Sequence, residues 1–178
     1  ATVLVLGPGL AQYEWAKSIW PTLIALDLPR VIDADALNLL AQTPAYSERW
    51  VLTPHPGEAA RLLQCSTADI LQDRFKAVRA IQQKYGGVCL LKGAGTLICD
   101  AQHTYINTTG NPGMATGGMG DVLSGMIGAL LAQHYSLSEA ARIGAYLHGL
   151  AADKAAAELG ERGLRATDIL QFLREVVN

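Results

Sequence analysis

Along the chain, short runs of aliphatic and β-branched residues alternate with longer stretches whose apolar positions recur at helical spacing. The short runs fall at Val3–Leu6, Arg30–Ile32, Trp50–Leu52, Val88–Leu91 and Thr96–Cys99. They are apolar almost throughout, which is how a strand reads when both faces of its sheet are covered. Tyr105-Ile106-Asn107 predicts one more strand, reached by a hairpin through Ala101–His103. Among the helical stretches, Ala68–Lys84 puts Leu71, Phe75, Val78 and Ile81 on one face, and Gly86-Gly87 stops it. Asp121–Gln133 is apolar nearly all round and predicts a buried helix. Ser138, followed by Glu139 and Arg142, caps a long Ala-rich helix running to Leu159. Thr167 caps a last helix carrying Ile169, Leu170, Phe172 and Leu173. Strands alternating with helices predict an α/β fold, a three-layer α-β-α sandwich around a mainly parallel sheet. No low-complexity linker divides the chain, so residues 1–178 read as a single domain.

Composition narrows the roles open to such a domain. Hydrophobic residues make up 50% of the 178 and charged residues 17%, a balance that excludes disorder. A net charge of −2 supplies no basic field to hold nucleic acid or an anionic membrane surface. Any nucleotide must therefore be held by local backbone N–H groups and a few lysines. Cys65, Cys89 and Cys99 show no C-x-x-C spacing and are odd in number, which reads as reduced thiols in the core of a cytoplasmic protein. The apolar stretch Thr2–Leu10 lacks a basic flank and breaks at Gly7-Pro8-Gly9, so it is neither a signal peptide nor a membrane span. The chain has no starting Met and opens directly into a strand, as a piece of something longer would.

In a parallel sheet, ligands bind beyond the carboxyl ends of the strands. Four unusual clusters fall at such ends: Gly7-Pro8-Gly9, Asp33–Asn38, Thr53–Glu58 and Lys92–Thr96. A fifth, the segment NPGMATGGMGDVLSG from Asn111 to Gly125, leads into the apolar helix. Glycines so dense cost entropy unless the backbone takes unusual angles or approaches something closely. A glycine turn at a helix N-terminus presents free N–H groups and a positive dipole end, a ready site for phosphate. Asp121 stands beside that site, where two readings compete. It caps the helix, or it is a general base that takes a proton from a hydroxyl attacking a phosphoryl group. Neither a Walker A loop nor a dinucleotide-binding glycine fingerprint is present.

The other clusters are open at this point too. Lys92-Gly93-Ala94-Gly95-Thr96 offers donors to phosphate or ribose, or is an ordinary glycine turn. Glu58 holds Mg²⁺ through water with His55 on substrate, or it is the capping acid of a rigid proline loop. Asp33 and Asp35, with Asn38, orient Mg²⁺ or a substrate hydroxyl, or Asp35 caps a helix through Leu39. His103, His134 and His148 have no partner at metal-ligand spacing and read as solvated or packed side chains.

Taken in order, the segments GPGL at Gly7, DADALNLL at Asp33, TPHPGEAARLL at Thr53, LKGAGT at Leu91 and GNPGMATGGMGDVLSGMIGALLAQ at Gly110 resemble the ADP/ATP-dependent NAD(P)H-hydrate dehydratases of the ribokinase-like superfamily. The likeness covers nearly the whole chain. It implies that Lys92, Gly93, Ala94, Gly95 and Thr96 bind the adenine nucleotide with Gly120. By the same likeness Gly9, His55 and Asp121 contact the hydrated nicotinamide nucleotide NAD(P)HX, and Gly118, Met119 and Gly120 form an anion hole. Glu58 corresponds to the Mg²⁺-linked glutamate of related small-molecule kinases. Two departures stand out: Ala11 follows GPGL where a glycine is frequent, and the segment that precedes GPGL in family domains is absent. The resemblance also implies a homo-oligomer and, in many bacteria, fusion behind an N-terminal NAD(P)HX epimerase. The expected reaction is dehydration of NAD(P)HX with ADP or ATP as co-substrate. Its rivals are a kinase of a small alcohol and a nucleotide-binding fragment without catalysis.

Overall fold

The computed structural model describes all residues, 1–178. Its six strands are β1 (Leu4–Leu6), β2 (Arg30–Ile32), β3 (Trp50–Leu52), β4 (Val88–Leu91), β5 (Leu97–Cys99) and β6 (Thr104–Ile106), and they lie in one sheet in chain order. β1 to β4 pair in parallel, with Leu6 beside Ile32, Ile32 beside Leu52 and Leu52 beside Cys89. β5 and β6 return antiparallel, so the sheet is mixed. The hairpin between them turns on Asp100, whose Oδ1 accepts from the amides of Gln102 and His103.

Eight helices follow the strands: α1 (Glu14–Ala25), α2 (Ala34–Gln42), α3 (Pro56–Leu63), α4 (Thr67–Gln72), α5 (Arg74–Tyr85), α6 (Met119–Ala132), α7 (Leu137–Leu159) and α8 (Ile169–Val176). None is long and apolar enough to cross a membrane. The period of two along each strand divides the sheet between two cores. Ile32, Trp50, Leu52, Cys89, Leu91, Leu97 and Cys99 face α1 to α5. Their chain neighbours Val31, Val51, Val88, Leu90 and Ile98 face α6 and α7. The continuous apolar runs are thus explained by helices on both faces. A third cluster joins Met119, Ala151, Ala152 and Ala155 to Leu164, Ile169 and Phe172, fastening α8 to α7.

The structure corrects several sequence expectations. The single helix expected over Ala68–Lys84 is two, α4 and α5, broken at Asp73. Asp73 leaves the helical region and its side chain accepts from Lys76 N, so a local cap outcompetes continuation. Ser66 caps α4 in the same way. The break rotates the apolar face: Val78 and Ile81 are buried with Ile70 and Ala77, while Leu71 and Phe75 are 57% and 50% exposed. α7 is capped by Ser136, not Ser138, through a reciprocal box with Glu139, and Ser138 Oγ instead donates to Asp100. α8 begins after Asp168, whose carboxylate is taken by Arg165, so Thr167 is not its cap. Sequence periodicity missed α1 altogether, because Pro21 interrupts its pattern. Cys89 and Cys99 are buried as expected, but Cys65 is exposed.

Candidate active site

Parallel pairing of β1 to β4 brings their carboxyl-terminal loops to one edge of the sheet. The antiparallel return sends the chain back to that edge after β6. Gly7 lies where the first loop crosses the second: its φ is +126°, and a Cβ there would stand 1.7 Å from the Asp33 carbonyl oxygen. Only glycine can occupy that crossing.

Asp33 is the centre of the edge. It is 1% exposed, and its two carboxylate oxygens accept from Lys92 Nζ at 2.8 Å and Ser124 Oγ at 2.7 Å. Lys92 Nζ also lies 3.9 Å from Glu58 Oε2. One ammonium group therefore serves two buried carboxylates that arrive from different loops, which an isolated buried charge could not do without partners. Glu58 in turn accepts from His55 N at 2.8 Å, while His55 Nδ1 accepts from Gly57 N at 3.0 Å. This reciprocal box at the start of α3 makes Glu58 a capping acid and a partner of Lys92 at once.

α6 begins directly above this cluster. Gly118, at φ +87°, occupies its N-cap, so the capping reading of Asp121 is corrected. Asp121 sits in the first turn with its side chain exposed. The amides of Met119, Gly120 and Asp121 precede the first helical hydrogen bond, from Val122 N to Gly118 O, and are left for a ligand. A Cβ on Gly120 would come within 3.2 Å of Lys92 Nζ and 3.6 Å of Asp33 Oδ2, so the glycine lets the helix end approach the ammonium.

Beside this turn opens a cleft of about 780 Å³. It is lined by the strap Lys92–Thr96, by residues Ile106–Pro112, whose Asn107 N donates to Thr96 O at 2.8 Å, and by Met119, Gly120, Leu123 and His148. All five strap residues expected at a nucleotide therefore face one cavity together with Gly120. Asp121, Gly9 and His55 lie outside its lining. Two features of the site were not legible in the sequence. Arg74, at the start of α5, donates to the carbonyls of Ala94 at 2.6 Å and Gly95 at 3.0 Å and so pins the strap from behind. No local signal points to it, because it acts across twenty residues and depends on the break at Asp73. His148 is 6% exposed and its Nε2 has no hydrogen-bond partner. Burial lowers its pKa to about 4, with the Lys92 charge acting in the same direction against a Met119 backbone interaction that raises it.

The remaining expected site residues are put to other uses. Asp35 accepts from Ala11 N at 2.9 Å and Gln12 Nε2 at 3.4 Å, holding the first loop down on α2. Asn38 Oδ1 accepts from Arg61 at 3.0 Å. Asp33 is committed to Lys92 and Ser124, and no group of three or more His, Cys, Asp or Glu side chains is placed to hold a metal ion by itself. Asp35 does not cap α2 either; Asp33 occupies that N-cap position.

Comparison with known proteins agrees with this architecture. Residues 1–175 match the NAD(P)H-hydrate dehydratase family model. The chain is 57% identical over its full length to the bifunctional NAD(P)H-hydrate repair enzyme of Coxiella burnetii, of which it covers 37%. It is 46% identical over 85% of its length to the ADP-dependent (S)-NAD(P)H-hydrate dehydratase of Neisseria meningitidis, covering 54% of that protein. The ADP/ATP-dependent NAD(P)H-hydrate dehydratase of Bacillus subtilis, co-crystallised with ATP and Mg²⁺ and soaked with CoA, superposes with a TM-score of 0.90 at 30% identity. That superposition covers 99% of this chain and 65% of the other. The chain spans little more than a third of the length of three curated bifunctional relatives, between 35% and 37%. The family model and the curated relatives agree: the chain belongs to the NAD(P)H-hydrate dehydratase family.

Proposed function

We propose that this chain carries the nucleotide-handling and catalytic part of an enzyme that dehydrates NAD(P)HX back to NAD(P)H at the expense of ADP or ATP. The observation that carries the reading is the free first turn of α6, set over Lys92 and opening beside a cleft lined by Lys92–Thr96. Lys92, Gly93, Ala94, Gly95, Thr96 and Gly120 hold the adenine nucleotide. The amides of Gly118, Met119 and Gly120 receive the terminal phosphate as an anion hole. Asp33 contributes by holding Lys92 in place.

Asp121 is free of capping duty, and its carboxylate takes the proton from the ring hydroxyl of NAD(P)HX. That oxygen bonds to the terminal phosphorus as the bond to the nucleotide's leaving oxygen breaks. Hydroxide, a poor leaving group, is thereby converted to phosphate. The electron pair of the ring nitrogen expels phosphate, and loss of a proton from the adjacent ring carbon restores the double bond. Gly9 and His55 contact the hydrated nucleotide on the Asp121 side. Glu58 would hold Mg²⁺ through water, and the ion, when bound, would screen the charge of the nucleotide phosphates.

The chain is one dehydratase domain, with β1 at the edge of its sheet and Val5 41% exposed. This chain covers 37% of a bacterial relative described as bifunctional, and we place it in such a protein, behind an N-terminal NAD(P)HX epimerase domain. Recovery of the NADH absorbance band from NADHX, with ADP and with ATP, tests the reading. Asp121→Asn abolishes turnover and leaves ADP binding intact; full activity in that variant removes Asp121 from the reaction. Accumulation of a stable phosphorylated small alcohol would reassign the chain to a kinase.

A further inference from the structure

Between β6 and α6 the cleft is walled by a loop without regular structure except one 3₁₀ turn, Pro112–Met114. Loops of that kind are ordinarily mobile. Here it is fastened to α7 at successive turns of the helix. Asn107 Nδ2 donates to Ala145 O at 3.3 Å, and Thr109 Oγ1 donates to Tyr146 O at 2.9 Å. A Cβ on Gly149 would stand 2.2 Å from Thr109 Oγ1 and 2.7 Å from its carbonyl carbon, so loop and helix touch along bare backbone there. One turn further on, Asp153 accepts two bonds at once: Gly110 N to Oδ2 and Asn111 Nδ2 to Oδ1, both at 2.9 Å. Asn111 Oδ1 then accepts from Gly113 N at 3.0 Å and starts the 3₁₀ turn. A half-buried carboxylate 42 residues away in sequence thus sets the path of the loop that forms the cleft wall.

We propose that Asp153 is a positioning residue for the nucleotide site: it touches no ligand itself but preorganises the Gly110–Met114 wall before the nucleotide arrives. The chemistry supports a specific role. Bonds to an ionised carboxylate are the strong class, and two from adjacent residues fix direction as well as distance. Gly110 has φ +105°, a conformation with little intrinsic preference to persist, so it needs an external hold. Asn at position 153 offers one acceptor where two are required, and its amide donors face another donor. A loop released in this way visits the binding-competent path only part of the time, and the apparent affinity falls by that fraction.

The proposal rests on the adenine-nucleotide reading of the cleft, and the test separates the two. In the full-length protein, Asp153→Asn is expected to raise the Kd for ADP about tenfold by calorimetry. It should speed hydrogen exchange at the Gly110–Met114 amides, while the thermal midpoint without ligand and the affinity for NADHX stay near wild type. Adding Asn111→Asp rebuilds the same geometry with the roles of amide and carboxylate exchanged, and should restore slow exchange in the loop. Unchanged ADP affinity in Asp153→Asn overturns the proposal, as does equal loss of both ligands with global destabilisation. Failure of exchange protection to return in the exchanged pair also overturns it. If the wild-type protein does not bind ADP at all, the nucleotide reading falls, and the exchange rates still decide whether Asp153 holds the wall.

Discussion

Lys92→Met is the most informative single perturbation, because Lys92 both pairs with buried Asp33 and lines the cleft. In the folded chain its Nζ sits 2.8 Å from an Asp33 carboxylate that is only 1% exposed. Removing the ammonium leaves that carboxylate with Ser124 as its one side-chain donor, and breaking a buried pair from one side costs about 3–5 kcal/mol. The Lys92 side chain is itself 22% exposed, so solvent reaches its end of the pair and the lower figure, about 3 kcal/mol, applies. For a chain of this size each kcal/mol moves the midpoint by about 2–4 °C, giving a fall of about 6–12 °C. Lys92→Met with Asp33→Asn removes the closer pair of charges and leaves an acceptor for Ser124. The part of the loss due to Asp33 should therefore return, while Glu58 keeps only its hydrogen bond from His55 N. ADP binding should not return in the double variant, since the cleft still lacks its lysine. Urea unfolding followed by the fluorescence of buried Trp50 measures the first effect, and calorimetry with ADP the second. A double variant no more stable than the single one would refute the buried-pair account, and so would a single variant that loses less than about 1 kcal/mol.

Other expectations follow from the same geometry. His148 is held neutral with its pKa lowered to about 4, so the unfolded chain binds the extra proton first as pH falls below the ordinary histidine value of 6.5. Its stabilisation is complete above that value and is lost toward pH 4. Wild type should lose about 2 kcal/mol more than His148→Asn between pH 7 and pH 5 in urea unfolding, and equal slopes would refute this. Gly7→Ala forces a Cβ to within 1.7 Å of the Asp33 carbonyl at a positive φ, and should cost about 3 kcal/mol or more, read as a lowered thermal midpoint. Arg74→Ala frees the carbonyls of Ala94 and Gly95 and should raise the KM for ADP about fivefold with kcat nearly unchanged.

Much of this architecture could be read from spacing alone. Short apolar runs between helical stretches required a sheet covered on both sides, and Val31 and Ile32, or Val51 and Leu52, do face opposite cores. Glycine clusters after strands marked the functional edge, because glycine there is unfavourable unless backbone must pass close to something, as Gly7 and Gly120 do. Those signals are local, carried by residues a few positions apart. Local caps were harder to place: Asp73 and Ser136 compete with neighbouring residues for the same amides, and only the packed helices show which one prevails.

What the tertiary structure alone decided is the work of the charged side chains. Asp33 looked like a ligand for metal or substrate, yet its partners Lys92 and Ser124 stand 59 and 91 residues away. Asp121 looked like a cap or a base, and the structure gives the cap to Gly118 and leaves Asp121 exposed in the first turn. Arg74, His148 and Asp153 carried no sequence signal, since each gains its role from a backbone brought near by strand order. Periodicity records which face of an element is buried. Which group meets which across that burial is set by the topology of the sheet, and an unpaired charge or polar atom acquires its chemical meaning there.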